Sequence, residues 1–273
     1  MPSDFAIHSD LLVHWTGGKD IDSECQPEWY EEPSCKIPES VDERYLCRLR
    51  DILEFGLWMT TQEGWELPGG VAVPPVAGLC FTELKLSQSR THAMQYGRLG
   101  IAVKRPFLFE RGGRPVVYFH PDRSLFNGKD AFLEGCSEEL KDKSLLQFFK
   151  CMDSATCRGI EYDLYSESEW RILANTNQLP DSIVDPRKAG DTRIIEYFNS
   201  MPDRQRKQLQ YLVPLDGWLA GIIYPSLRIK NKAQEEGSVI RRLIQKIPQL
   251  PGNARNVGEG LPIEIDLDLC RNL

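Results

Sequence analysis

Leu11-Leu12-Val13-His14-Trp15-Thr16-Gly17-Gly18 is the stretch on which the fold turns. Leu11 to Trp15 form a short apolar run that predicts a strand, and Thr16-Gly17-Gly18 breaks it. Alternation sets His14 and Thr16 on one side and Val13 and Trp15 on the other, so a polar pair stands beside a turn. From there to about Ser40 the chain is rich in Pro, Glu, Ser and Cys and has no period, which predicts an excursion loop.

Helical spacing begins at Val41. Tyr45, Leu46, Leu49, Ile52 and Leu53 recur on one face and Gly56 follows, predicting an amphipathic helix with a glycine cap. Leu57 to Thr60 read as extended, and a Gly- and Pro-rich loop leads to the strand Gly78-Leu79-Cys80-Phe81-Thr82-Glu83. Ser87 to Tyr96 fit a helix that Gly97 stops. Gly100 to Val103 and Pro115 to Phe119, separated by Arg111-Gly112-Gly113-Arg114, read as a hairpin. Asp130 to Met152 carry leucine and phenylalanine at helical spacing. Between Tyr162 and Leu173 alternation predicts a strand with Glu167, Glu169 and Arg171 on one face.

After Asn175 the chain turns proline-rich, then gives a strand from Trp218 to Pro225, a basic amphipathic helix from Ser238 to Ile247 and a strictly alternating strand from Ile263 to Leu269. These elements predict a single α+β domain over residues 1–273, with mostly antiparallel mixed sheets and flanking helices. Residues 11–173 form its core, and 176–273 complete that core or pack on it.

Composition narrows the function classes. Hydrophobic residues at 41% and charged residues at 27% exclude whole-chain disorder. A formal charge of −7 argues against a broad nucleic-acid-gripping surface, because phosphate neutralisation needs a basic face; a local basic groove stays open. The opening MPSDFAIHSDLLVHW has neither a basic leader nor an uninterrupted apolar run, and no stretch has the length of a bilayer span. The expectation is a cytoplasmic protein with no membrane contact. Eight cysteines without a CxxC pair predict free thiols and no metal. No phosphate-cradling glycine loop occurs, and His92 and His120 are isolated. The basic stretches at 204–207 and at Arg241, Arg242 and Lys246 read as solvated helix faces, with contact to nucleic acid or an acidic partner as the alternative.

Four segments carry a family resemblance: His14-Trp15-Thr16-Gly17, Cys80-Phe81-Thr82-Glu83, Tyr96-Gly97 with Gly100-Ile101-Ala102, and Glu169-Trp170-Arg171-Ile172. Together, over residues 11 to 173, they resemble the bacterial abortive-infection family AbiGi, found in phage-defence and toxin–antitoxin loci. More remotely, the order of these segments is similar to the ADP-ribosyltransferase fold, which implies a split-sheet core and NAD as substrate. The resemblance implies that His14 hydrogen-bonds an NAD ribose or the nicotinamide amide, with Thr16 beside it. Phe81 and Tyr96 become cofactor-binding aromatics, Tyr96 stacking on the nicotinamide ring, and Glu169 becomes the catalytic carboxylate accepting from the ribose 2′-OH. Loss of nicotinamide leaves an oxocarbenium-like ribose that a nearby carboxylate stabilises. The chain departs from that pattern at Cys80, where tyrosine is frequent, at Trp15, which replaces a small residue, and in a longer spacing to Tyr96.

Each residue also has a structural reading. His14 is then a packed strand histidine, Thr16 a turn cap, Tyr96 a packing aromatic at a helix end, and Glu169 one half of a same-face ion pair with Arg171. Two function classes follow: an NAD-dependent ADP-ribosyltransferase acting on a nucleic acid or protein acceptor, or a non-catalytic antitoxin that binds a partner toxin. The first requires His14, Tyr96 and Glu169 to line one pocket.

Overall fold

The strand expected at the N-terminus is β1, Leu11–Thr16, and its side chains alternate between two packed faces: Leu12 packs in the principal core while Val13 and Trp15 pack on the opposite face. The computed structural model describes residues 11–17, 40–66, 71–83, 89–119, 135, 139–152, 154–157, 160–163, 167–174, 179–250 and 260–271. The excursion loop before Ser40 therefore lies outside the described residues, as do His120, most of the 248–260 loop and part of the 130–152 stretch.

Helix α1 is Val41–Phe55. Ser40 and Glu43 close its N-terminus reciprocally: the Glu43 amide donates to the Ser40 hydroxyl and the Ser40 amide to the Glu43 carboxylate. Tyr45, Leu49 and Ile52 bury one face against the sheet. Gly56 ends the helix at φ 114, where a Cβ would stand 2.4 Å from the Val213 carbonyl oxygen, so only glycine fits.

The chain continues through β2 (Leu57–Gln62), the small ribbon β3 (Trp65–Glu66) and β4 (Ala72–Val73), β5 (Val76–Thr82), α2 (Ser89–Tyr96), β6 (Leu99–Lys104) and α3 (Arg105–Phe109). Short strands β7 (Arg114–Pro115) and β8 (Val117–Phe119) precede a 3₁₀ segment, Lys143–Phe148, and β9 (Phe149–Cys151). A separate ribbon pairs β10 (Ser154–Cys157) with β11 (Ile160–Asp163), and β12 (Glu169–Leu173) follows. The last third supplies α4 (Thr192–Asn199), α5 (Asp203–Gln208), β13 (Leu209–Val213), β14 (Leu219–Tyr224), α6 (Leu227–Gln234), α7 (Val239–Lys246) and β15 (Ile263–Asp266).

The fold is α+β. The principal sheet runs β13-β2-β5-β1-β6-β14-β15, with β12 on the other edge of β5 and β7 on β12; all its pairings are antiparallel except β14 with β15. Strands of the last third thus join the sheet that β1 begins. Helices α1 and α7 cover the principal core.

Pairing along β5 opens the sheet. Gly78 pairs with Thr60 of β2 and Leu173 of β12, while Thr82 pairs with Val13 of β1 and Glu169 of β12. A strand has two edges, so β1 and β2 share one edge of β5 at opposite ends. Leu79 to Phe81 have no strand partner on that edge, and the sheet splits there.

Four expected elements are corrected. Residues 100–103 and 115–119 do not form a hairpin, because β6 has both edges occupied by β1 and β14 and residues 105–109 coil into α3. The described part of 130–152 is a 3₁₀ segment and a strand, not one helix. The strand expected from Tyr162 is interrupted: Ser168 takes φ +45 and turns the chain between Glu167 and Glu169, so only β12 continues, and Leu164 and Ser166 lie outside the described residues. The terminal strand stops at Asp266, where Leu267 turns away.

Candidate functional site

A cleft of about 930 Å³ passes through the split between β1 and β2. Both sheet faces line it. Alternation puts His14 and Thr16 on the side of α1, and Cys80, Glu169 and Arg171, paired across β5 and β12, on the other. His14 Nδ1 is 2.9 Å from the Cys80 carbonyl oxygen and closes part of the open edge of β5. Burial lowers the His14 pKa to about 4, against the Cys80 contact and with help from the Arg48 charge. The ring is therefore neutral near pH 7, donates through Nδ1 and leaves Nε2 as an acceptor.

On the other side, four charges interlock. Glu169 receives Arg171 Nε at 2.6 Å and Nη2 at 3.1 Å, and Lys150 Nζ at 2.8 Å. The same ammonium reaches Glu167 Oε2 at 2.5 Å, and the Tyr96 hydroxyl donates to Glu167 Oε1. Glu167 is 1% exposed and Glu169 5%. Burial by itself would raise the Glu169 pKa, but Arg171 and then Lys150 reverse the effect and hold it at about 2. Arg171 and Lys150 are raised in turn, since the carboxylates outweigh burial. Burial, then Glu169, pushes the Cys80 thiol up and keeps it protonated. Arg171 Nη1 also donates to the Gln147 carbonyl, whose side chain donates to Glu63 and Pro74 carbonyls at 3.0 Å each. The 3₁₀ segment thereby fixes the strand that presents Lys150.

On the α1 side, Arg48 Nη1 donates to the Thr16 hydroxyl at 3.0 Å. Gly17 follows at φ +99, and a Cβ there would stand 2.6 Å from the Tyr45 ring, so the turn after β1 lies flat on α1. Tyr197 of α4 stacks on Phe55 at 4.1 Å and reaches Asp51 at 3.3 Å, bringing the last third into the cleft wall together with Gln205 and Gln208.

His14, Thr16, Tyr96 and Glu169 accordingly line one cleft. Phe81 does not, which corrects its expected contact with a ligand. It alternates with Cys80, is 1% exposed and packs in the core behind His14 and against Phe107, at ring distances of 5.8 and 6.1 Å. Glu169 and Arg171 form an ion pair as their spacing allows, but a buried one. Sequence reasoning misses Lys150, Arg44 and Arg48. Lys150 had one signal, a lone cation in the run Phe148-Phe149-Lys150-Cys151, where burial demands a carboxylate partner. Among the described residues no group of three or more His, Cys, Asp or Glu is placed to hold a metal, and no helix is long and apolar enough to cross a membrane.

No protein-family model matches the chain, and neither a curated protein nor a solved structure is significantly similar to it.

Proposed function

We propose that the cleft binds NAD and that the chain is an ADP-ribosyltransferase of the cytoplasm, acting in phage defence or a toxin–antitoxin pair. The observation that carries this reading is the convergence of His14, Thr16, Tyr96 and Glu169, from three separate elements, on one cleft of a size that holds a nucleotide. In the proposed reaction the bond between ribose C1′ and the nicotinamide nitrogen breaks, and its electron pair leaves with nicotinamide. A nucleophile of a nucleic acid or protein acceptor adds to C1′ and gives up its proton. Glu169, anionic down to about pH 2, faces the positive charge that develops on the ribose, and the Tyr96 ring offers a flat surface to the departing base.

One observation favours a second reading, binding without turnover by a regulatory or antitoxin module. A carboxylate has about four acceptor positions, and Arg171 and Lys150 already use three of them on Glu169. Nicotinamide release from NAD labelled in that ring separates the two. Release abolished by Glu169→Gln in a folded variant supports transfer. Release unchanged by that substitution removes Glu169 from the chemistry, and saturable NAD binding without release supports the second reading.

A further inference from the structure

We infer that Lys150 is a positioning residue: it holds Glu167 and Glu169 together as two anions and so ties the ring of Tyr96 to the carboxylate that faces the ribose. The inference rests on the cleft's being an NAD site. Lys150 Nζ stands 2.5 Å from Glu167 and 2.8 Å from Glu169, one ammonium shared by two buried carboxylates. Glu169 has a second cation, since Arg171, two residues along the same strand face, gives it two N–H groups. Glu167 depends on the lysine. Its described partners are Lys150 and the Tyr96 hydroxyl, and at 1% exposure a carboxylate without a cation is costly to keep ionised.

The local backbone is shaped around this contact. Ser168 takes φ +45 between the two glutamates, a conformation that costs energy for a residue other than glycine and persists where its surroundings impose it. The cation arrives from outside the principal sheet: β9 pairs with β8 in a ribbon of its own, and Gln147 anchors the preceding segment to the Glu63 and Pro74 carbonyls. An ion pair for stability alone exists within β12, between Glu169 and Arg171. The further contact joins α2 through Tyr96, β9 through Lys150 and β12 through Glu169, all at the cleft wall.

Two adjacent carboxylates share a proton unless a cation stands between them. Among the described residues, the charged and titratable groups around this pair are Lys150, Arg171, Tyr96, Tyr118 of β8 and Cys80 of β5. Burial pushes the Tyr118 hydroxyl up to about 12 and the Cys80 thiol up as well, so both stay neutral. Without Lys150, Arg171 is left as the cation for two anions, and the pair takes up a proton that lessens the charge facing the ribose. Lys150 acts through the glutamates and exchanges no proton itself.

The test measures nicotinamide release and NAD binding by the full chain from about pH 5 to about pH 9. It compares wild type, Lys150→Met, Lys150→Arg, Lys150→Met combined with Glu167→Gln, and the exposed control Lys246→Met. Wild type, with Glu169 anionic down to about pH 2, should show no acid limb from this pair in that range. Lys150→Met should show one, with turnover at about pH 6 at least about tenfold slower than wild type and NAD affinity within about threefold. Lys150→Arg should fall between, the combined variant should lose the acid limb again because the second anion is gone, and the control should match wild type. Carbon-13 labelling of glutamate follows the carboxyls by NMR without turnover, and Lys150→Met should raise the titration of one of the two. The role is overturned if Lys150→Met keeps wild-type turnover and profile, or if it and the combined variant slow equally with no acid limb, as loss of packing alone would give. Failure of the NAD reading looks different, because wild type then releases no nicotinamide. In that case a raised carboxyl titration in Lys150→Met keeps the charge pairing and overturns its use in transfer, and an unmoved titration overturns both.

Discussion

Replacing Glu169 by glutamine should destabilise the protein by about 3 kcal/mol, and two independent routes give that figure. The substitution keeps the shape of the side chain and the amide of residue 169, which donates to the Tyr118 hydroxyl at 3.0 Å. It removes the charge that faces Arg171 and Lys150, leaving two cations against Glu167 alone. Removing one member of a buried ion pair typically costs about 3–5 kcal/mol. The second route is proton linkage. Holding the Glu169 pKa at about 2, against an ordinary 4.5, corresponds to about 3 kcal/mol at about 1.4 kcal/mol for each tenfold change in acid dissociation. With the carboxyl 5% exposed, solvent screening takes little from it. Because the folded-state pKa is depressed, this stability is present in full above pH 4.5 and is lost as pH falls through about 2.

Urea unfolding followed by tryptophan fluorescence at pH 7.5 measures the difference directly. Glu169→Gln combined with Arg171→Met removes both partners, so its loss should be smaller than the sum of the two single losses. That double variant is also the folded control for nicotinamide release. A Glu169→Gln loss below about 1 kcal/mol, or strict additivity in the cycle, refutes the reasoning, because either result means that the two cations do not share the carboxylate.

Three further outcomes follow from the geometry. Tyr96→Phe keeps the ring and loses only the hydroxyl on Glu167, so NAD binding should fall less than threefold, whereas Tyr96→Ala should weaken it by about tenfold or more; equal losses in a binding titration would refute the stacking role. Gly17→Ala places a Cβ 2.6 Å from the Tyr45 ring at φ +99 and should cost about 1–3 kcal/mol, read as a lower Tm with weaker packing of the Thr16 turn on α1. The His14 imidazole should titrate near pH 4 by NMR. Its depressed pKa means no stability difference above about pH 6.5 and a growing loss as pH falls from there to about 4, so titration near 6.5 would place the ring in water.

Elements with a strong local signal are legible in the sequence. α1 carries a Ser40-to-Glu43 capping pair, a helical apolar period and a glycine that no other residue can replace at φ 114. β1, β5, β12 and β14 carry the alternation or apolar runs of buried strands. The 100–119 region misleads for a physical reason. Two β-branched runs around a glycine pair have the local chemistry of a hairpin, but pairing is decided by which edges are free, and β6 has none left for 115–119. The place of Lys150 is hidden for a similar cause, although the residue itself stands out as a lone cation: β9 is three residues long and is held by parallel pairing with β8, which no local pattern announces.

The split in the sheet explains both what the sequence reveals of the site and what it hides. A continuous ladder along β5 would bury Cys80 and Glu169 on one face and His14 on the other, with backbone between them. Because β1 and β2 pair with opposite ends of the same edge, the backbone of Leu79 to Phe81 is left open and the two faces communicate. Residues that alternation assigns to opposite sides then reach one cleft, which is why Tyr96 and Glu169 meet a space that His14 and Thr16 also line. Period-two reasoning identifies each strand residue but has no means of joining the faces. It likewise leaves out Arg44 and Arg48, whose place is set by the packing of α1 beside the gap rather than by any strand.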